Sequence, residues 1–464
     1  MGLDYSVPQG MLRVAGASCD RRLAKGDNRR GGRLPQTARR ATLPRGRQGN
    51  PFVSANARIL AAFAAAVLAG CAAKPIAADL IISDVTVYSG EKEAPFKATV
   101  TVKDGKFQTV DRNGAAHYRA VFVVDGDGLY MTPGLWDMHA HIANEEGENV
   151  DVSAFPRFGV TSIRDVGGFR EKIEASRAAI TGGEVAGPNV YLAGPTLNGK
   201  AFAPFQRAVT TEAEVRHAVE ELAAAGVDVI KIHRAFVPSL LPAVVEAAHQ
   251  HGLRVTGHIP LGMSPLDACE AGMDGIEHVG SFLEAYVSVA PEERANSAAA
   301  IAYLESEESA PLYRCLAARG VAVTPTLVVY PAVGRSRLGD GPMPPEFIEF
   351  MRAMEHITLR LHQAGVTLLV GTDTAAGGPT AIPPGASLLD ELAYLQESGI
   401  AAADILVMAT SNAARSLGVG AQTGSIAVGK DADFLILGAD PGADIANIRK
   451  LRAVFKGGDR VLPH

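Results

Sequence analysis

The chain has 464 residues, 47% of them hydrophobic and 20% charged, with a formal net charge of −6. That balance describes an ordinary globular body, long for one domain but within the reach of a (β/α)8 barrel with additions. It offers no basic excess to hold a nucleic acid, and 49 Gly with 27 Pro imply many loops without a collagen-like or wholly disordered chain.

Residues 1–50 hold eleven Arg and Lys against three Asp and are broken repeatedly by Gly and Pro, so 1–52 reads as a disordered leader. Residues 53–71 read as a secretory signal: Arg58 is the positive flank and Ile59–Gly70 an apolar run too short to span a bilayer. Leu68-Ala69-Gly70-Cys71 has the form of a bacterial lipobox, which makes Cys71 the expected lipidation site, and the following Ala72 fits the outer-membrane pattern. A translation start near residue 50, or at Val53, would bring this signal to the N-terminus. The competing reading is a buried alanine-rich helix. The expected location is the bacterial cell envelope, as a periplasm-facing outer-membrane lipoprotein or an exported protein. Acyl chains alone would then tie it to a membrane.

Residues 79–133 alternate in strand fashion. Leu80-Ile81-Ile82, Val85–Tyr88, Ala98–Val102 and Val121–Val124 are expected strands, and Lys103-Asp104-Gly105-Lys106 a hairpin turn because Gly accepts positive φ. From 134 to 418 strands and helices alternate. Expected strands lead into His139 and run over 158–164, 189–193, 227–232, 254–258, 275–278, 321–325 and 367–371. Thr211-x-x-Glu214 is a capping box ahead of Val215, Ala218, Val219 and Leu222, and Ser264-x-x-Asp267 opens another helix. Residues 386–398 and 401–417 read as helices, 284–310 as extra helix over one loop, and 331–345 as a Gly/Pro loop. Eight such steps predict a (β/α)8 TIM barrel. Strands return over 419–464, at 425–427, 432–437 and 454–455. They are expected to complete a small β-sandwich begun at 79–133, with the barrel inserted between its two parts.

Cys19, Cys71, Cys269 and Cys315 make no CxxC pair and no disulfide framework. Cys269 and Cys315 lie among apolar residues and are expected as buried free thiols.

The chemistry gathers at the expected C-terminal strand ends, where active sites of such barrels lie. The first strand ends Asp137-Met138-His139-Ala140-His141, and residues i and i+2 share a face, so His139 and His141 can address one ion. His258, His278 and Asp373 close later strands. Four imidazoles and a carboxylate suit a borderline divalent metal, zinc first, with manganese and cobalt also fitting. Lys231 sits in a strand of Val and Ile, where a bare ammonium is costly. A neutral lysine amine takes up carbon dioxide to form a carbamate, whose two oxygens can bridge two cations. Two metals would then share a hydroxide and polarise a substrate carbonyl. Asp373, beside them, would accept the proton and pass it to the leaving group.

The segments PGLWDMHAH (133–141), GVTSIRDVGG (159–168), GVDVIKI (226–232), TGHI (256–259), GIEHV (275–279), LLVGTDT (368–374) and TGSIAVGKDADFLIL (423–437) resemble the amidohydrolase superfamily over about 79–464. The resemblance implies that His139, His141, Lys231 and Asp373 hold one metal ion. Lys231, as a carbamate, with His258 and His278 would hold the other. It extends to the prolidase-like and imidazolonepropionase-related branch, which includes dipeptidases, carboxypeptidases and ochratoxin-hydrolysing amidases. After the lysine this chain departs from the small, Gly-rich loop of many of them and reads Ile232-His233-Arg234. His233 shares a face with Lys231 and is an expected substrate contact. Arg234 is a candidate carboxylate clamp, and Tyr191 a candidate to steady the substrate carbonyl.

The function expected from all this is a binuclear metal-dependent amidohydrolase. It would cleave an amide or peptide bond of a small substrate (a dipeptide, an Xaa-Pro or N-acyl amino acid, or an ochratoxin-like amide) by metal-bridging hydroxide attack. The alternatives are a lactone, phosphotriester or cyclic-amide hydrolase, a nucleobase deaminase, and a surface lipoprotein that binds metal or ligand without turnover. Relatives frequently assemble, so a homo-oligomer is a further expectation.

Overall fold

The computed structural model describes residues 12–14, 75–114, 116–144, 149–338, 341–375 and 382–462. The signal-like segment 53–71, with Cys71, lies outside the described residues. Six strands precede the first metal motif: β1 (Leu12–Val14), β2 (Ile76–Val87), β3 (Phe96–Lys103), β4 (Lys106–Asp111), β5 (Tyr118–Asp125) and β6 (Tyr130–Pro133). The central region carries β7 (Leu135–His141), β8 (Val160–Asp165), β9 (Asn189–Leu192), β10 (Thr196–Asn198), β11 (Gln206–Ala208) and β12 (Ile230–Ile232). It continues with β13 (Val255–Gly257), β14 (Gly275–Glu277), β15 (Ala322–Thr324), β16 (Thr367–Leu368) and β17 (Thr374–Ala375). The tail supplies β18 (Phe434–Leu437), β19 (Leu451–Lys456) and β20 (Asp459–Leu462).

The first six and last three strands join one nine-stranded mixed sheet. Its seam is the antiparallel pair β6–β18, in register from Phe434↔Pro133 to Leu437↔Tyr130. The tail therefore pairs with the residues that lead straight into the first metal motif. The β3–β4 hairpin turns on Asp104 and Gly105, at φ 50° and 76°, which is why a glycine stands there. This sheet has its own core. Phe434 is fully buried, stacked on Phe455 at 4.4 Å and tilted against Phe107 at 5.8 Å.

The central region is a TIM-barrel-like α/β fold. Its strands form two parallel sheets, β11-β10-β12-β13-β14-β15-β16 and β17-β7-β8-β9, in place of one continuous ring. Main-chain bonds cross both gaps. Met138 N donates to Val370 O on one side, and Asp228 N donates to Leu192 O on the other. The eighth strand is interrupted between β16 and β17 for a local reason. A side chain at Gly371 would stand 2.8 Å from His139 N, and Asp373 adopts φ 63° to turn into the site. The backbone there serves the site before the ladder.

The helices follow their sequence signals with two corrections. Thr211 Oγ1 accepts from Glu214 N while the Glu214 carboxylate accepts from Thr211 N, a complete capping box. Ser264 caps Pro265–Glu270. Residues 331–345, expected as a loop, include most of the helix Val329–Leu338. Pro331 falls in its first turn, where a missing N–H costs nothing, and Gly334 is where Phe347 packs too closely for a side chain. The second correction concerns the cysteines. Cys269 and Cys315 form a disulfide with Cα atoms 6.3 Å apart, joining the helices Pro265–Glu270 and Ala310–Arg319. The two helices pack side by side, a proximity that the 46-residue separation conceals. Among the described residues, no helix is long and apolar enough to cross a membrane.

Candidate metal centre

His139, His141, Lys231, His258, His278 and Asp373 line one cavity of about 290 Å³ at the C-terminal ends of the parallel strands. His139 and His141 leave β7 on one face, as the period of two requires. Lys231 is the middle residue of β12, His258 follows β13, His278 follows β14, and Asp373 precedes β17. His139 Nε2 lies 3.3 Å and His141 Nε2 3.2 Å from the same oxygen, Asp373 Oδ1. Ring centroids of His139 and His278 are 4.5 Å apart, and those of His258 and His278 4.8 Å. Donor atoms of His139, His278 and Asp373 lie within 4.8 Å of one another, close enough to share one cation.

The far side of each ring fixes its tautomer. His141 Nδ1 meets the carbonyl of Gly167 at 2.6 Å. A carbonyl only accepts, so Nδ1 carries the proton and Nε2 presents a lone pair to the cavity. His139 Nδ1 meets Glu277 Oε2 at 2.8 Å, with the same result. The Thr326 hydroxyl donates to Pro325 O and therefore accepts from His278 Nδ1 at 2.7 Å. Three rings are thus held with Nε2 free, the arrangement that metal-binding histidines need.

The supporting residues were not singled out from the sequence. Glu277 is fully buried and accepts from His139, from Arg164 Nη2 at 2.6 Å and from the Thr256 hydroxyl. Arg164 also donates from Nε to Met138 O, tying β8 to β7. Burial pushes the Glu277 carboxyl up, but the Arg164 and His139 charges overcome it and hold the pKa well below the usual value. Asp165 accepts from Ile142 N and Gly167 N, and so sets the loop whose carbonyl holds His141. Asp137 accepts from the Thr372 hydroxyl at 2.6 Å, from Thr372 N and from His139 N. Glu277 and Asp137 left one signal in the sequence: each is an acid inside a short apolar strand, next to or two residues from a histidine.

Lys231 is 2% exposed, and among the described residues no carboxylate comes within ion-pair distance of its Nζ. Burial lowers its pKa to about 8. Burial, then the neighbouring positive groups, lowers His278 to about 3 and His258 well below the imidazole range. Asp373 is raised by burial but pulled well below its ordinary value by the histidines around it. Burial and mutual repulsion thus favour the neutral forms of Lys231, His258 and His278. Neutral nitrogens with fixed lone pairs are ligands.

Of the three expected substrate contacts, one lines the cavity. His233 faces it, its ring 4.4 Å from that of His258, and burial lowers its pKa to about 4. Arg234 does not. Its guanidinium is half exposed and 3.6 Å from Glu284, because the chain turns outward after His233. Tyr191 does not either. It stacks on the buried Trp136 at 5.1 Å, so strand alternation sends its ring away from the mouth.

The model of the Amidohydrolase family matches residues 130–461. Ochratoxinase of Aspergillus niger is 27% identical over 398 residues, covering 71% of this chain and 75% of that protein. Among solved structures, a Xaa-Pro dipeptidase with bound methionine superposes with a TM-score of 0.64 at 21% identity, covering 82% of this chain and 99% of that one. Molinate hydrolase superposes with a TM-score of 0.66 at 22% identity, covering 83% and 94%. At these identities the solved structures speak for the fold.

Proposed function

The chain belongs to the amidohydrolase family, a prolidase-like member that hydrolyses C–N bonds, and from that premise we propose that it is a binuclear metal-dependent hydrolase of amide or peptide bonds in small substrates. The observation that carries the reading is the convergence of His139 Nε2 and His141 Nε2 on Asp373 Oδ1, beside a buried lysine that has no carboxylate at ion-pair distance among the described residues. The donor set fits a divalent metal: imidazole nitrogens, three of them with tautomers set by their partners, a carboxylate, and a lysine amine suited to carbamate formation. His139, His141, Asp373 and the Lys231 carbamate would hold one ion; the carbamate, His258 and His278 would hold the other, zinc being the best match. Bound there, the ions supply positive charge that acidifies a water and polarises the scissile carbonyl.

The chain's own residues account for the proton. Asp373 opens onto the cavity with 28% of its side chain accessible. It takes a proton from the attacking water at its carboxylate and returns it to the departing nitrogen. The carbon–oxygen bond forms, the carbon–nitrogen bond breaks, and acid and amine leave. His233 stands neutral at the cavity wall and orients the substrate by hydrogen bonding.

The proposal includes export. The Cys269–Cys315 disulfide supports folding in an oxidising compartment, in line with the signal and lipobox expected at 53–71.

The test is a hydrolysis panel. Protein stripped with a chelator and reloaded with zinc is given N-acyl amino acids and dipeptides, including those with C-terminal Pro and aromatic residues, against lactones and phosphotriesters. Turnover of the amides that disappears on stripping and returns with zinc is expected. Turnover of the lactones or phosphotriesters alone would overturn the reading.

A further inference from the structure

The cavity wall beyond the six metal-site residues holds polar atoms that the protein leaves unused. Gln206, on β11, lines the cavity. Its side-chain oxygen accepts from Phe202 N at 3.0 Å and from Asn198 Nδ2 at 3.2 Å. A backbone N–H can only donate, so the atom facing Phe202 is the oxygen, and the NH2 group is turned to the other side, where no acceptor reaches it among the described residues. Asn144, three residues past His141, also lines the cavity, and its Oδ1 is buried without a hydrogen-bond partner among the described residues. His233 Nδ1 is in the same condition. The cavity thus carries an uncommitted amide donor, an uncommitted amide acceptor and an unpaired imidazole nitrogen. Facing them are apolar side chains, among them Phe205, Val329, Val333 and Ile382. The arginines adjacent in the chain to Gln206 and His233 are engaged elsewhere, Arg207 with Glu221 and Arg234 with Glu284.

Resting on the amide-hydrolysis reading above, we infer that the substrate carries a second, uncharged amide-like group beside the scissile bond, bound by Gln206 and Asn144, together with an apolar portion. A primary or secondary amide, urea or carbamate offers a carbonyl for the Gln206 NH2 and an N–H for Asn144 Oδ1. A free carboxylate satisfies the first and opposes the second, since it brings negative charge against a buried oxygen. Sites built to hydrogen-bond an N–H discriminate against analogues that lack it, because their own polar atoms are then left unmet.

The matched pair N-benzoylglycinamide and N-benzoylglycine tests this on the zinc-loaded protein. The carboxamide is expected to be favoured at least about tenfold in kcat/KM. Gln206→Glu keeps an oxygen for Phe202 N but replaces the donor by a carboxylate, and Asn144→Leu removes the acceptor. In both, the carboxamide KM should rise while kcat falls less. The carboxamide-to-acid ratio should collapse toward one in Asn144→Leu and should not fall in Gln206→Glu, whose charge also repels the acid. If neither compound is cleaved, their dissociation constants by calorimetry give the same ratio. A carboxamide preference there supports the inference and counts against amide hydrolysis alone. Equal or better use of the acid by the wild type, or a ratio untouched by Asn144→Leu, would overturn it.

Discussion

Glu277 Oε2 accepts a 2.8 Å hydrogen bond from His139 Nδ1, while Glu277 Oε1 accepts one of 2.6 Å from Arg164. One buried carboxylate thus sets a site histidine and neutralises a buried guanidinium. Glu277→Gln leaves Arg164 without its counter-ion, and unfolding free energy should fall by about 3 kcal/mol in chemical denaturation. It also frees the imidazole to rotate, so zinc affinity should drop about 10- to 100-fold in competition with a chromophoric chelator under native conditions. A loss of stability with unchanged zinc affinity would separate the two roles and remove the second.

Lys231 has a folded pKa of about 8, lowered from 10.5 by burial. In metal-free protein, between those two values the unfolded chain holds a proton that the folded chain has released. Stability should therefore rise with pH across that window, by up to about 3 kcal/mol, and the penalty should be fully present below pH 8. Lys231→Met should flatten the slope. The same neutral amine is what takes up carbon dioxide. Intact-mass analysis of zinc-loaded wild-type protein in bicarbonate should find one added CO2, absent from Lys231→Met. Protein carrying two zinc ions and no such adduct would rule out the bridge.

The metal-site residues were legible because each needed only a strand end and a one-dimensional rule, i and i+2 on one face or a polar residue closing an apolar run. Glu277 was not, because its partners His139 and Arg164 lie 138 and 113 residues away. The disulfide was hidden for a related reason, since its two helices meet only when the strands between them are stacked. Arg234, a candidate clamp for its fork of donors, lies outside the cavity because the sequence does not say where the strand stops. β12 ends at Ile232, and beyond it the chain leads Arg234 to Glu284. Arg234→Ala should accordingly leave kcat/KM for N-acyl amino acids within about twofold, the cost of a surface ion pair. A loss of tenfold or more would restore it as a clamp.

Glu391 is fully buried in the helix Ala386–Glu397. Its Oε2 accepts from Val328 N at 2.8 Å, close to Thr326, which holds His278, and its Oε1 has no hydrogen-bond partner among the described residues. Burial raises its pKa to about 8 from 4.5. Between those values the folded chain keeps a proton that the unfolded chain has lost. Its contribution to stability is complete below about pH 4.5 and is lost as pH rises toward 8. Glu391→Gln fixes the neutral form. It should be close to wild type at pH 5 and more stable than wild type at pH 8.5 in urea titrations. A variant less stable at both values would mean that the charged carboxylate is the form the turn needs.

The Cys269–Cys315 bond closes a loop of 46 residues that contains β14, His278 and the helices Gly280–Val289 and Ser297–Glu305. Loop-closure entropy for that length is worth about 4 kcal/mol to the folded state. Cys315→Ser should therefore lower the unfolding free energy of the oxidised protein by about that amount, and a thiol reductant should do the same to wild type and nothing to the variant. His278 sits inside the loop, but its ring is held by Thr326, which lies outside it. Zinc affinity at moderate temperature should for that reason survive the loss of the bond. Parallel loss of zinc and stability on reduction would mean that the disulfide also shapes the metal centre.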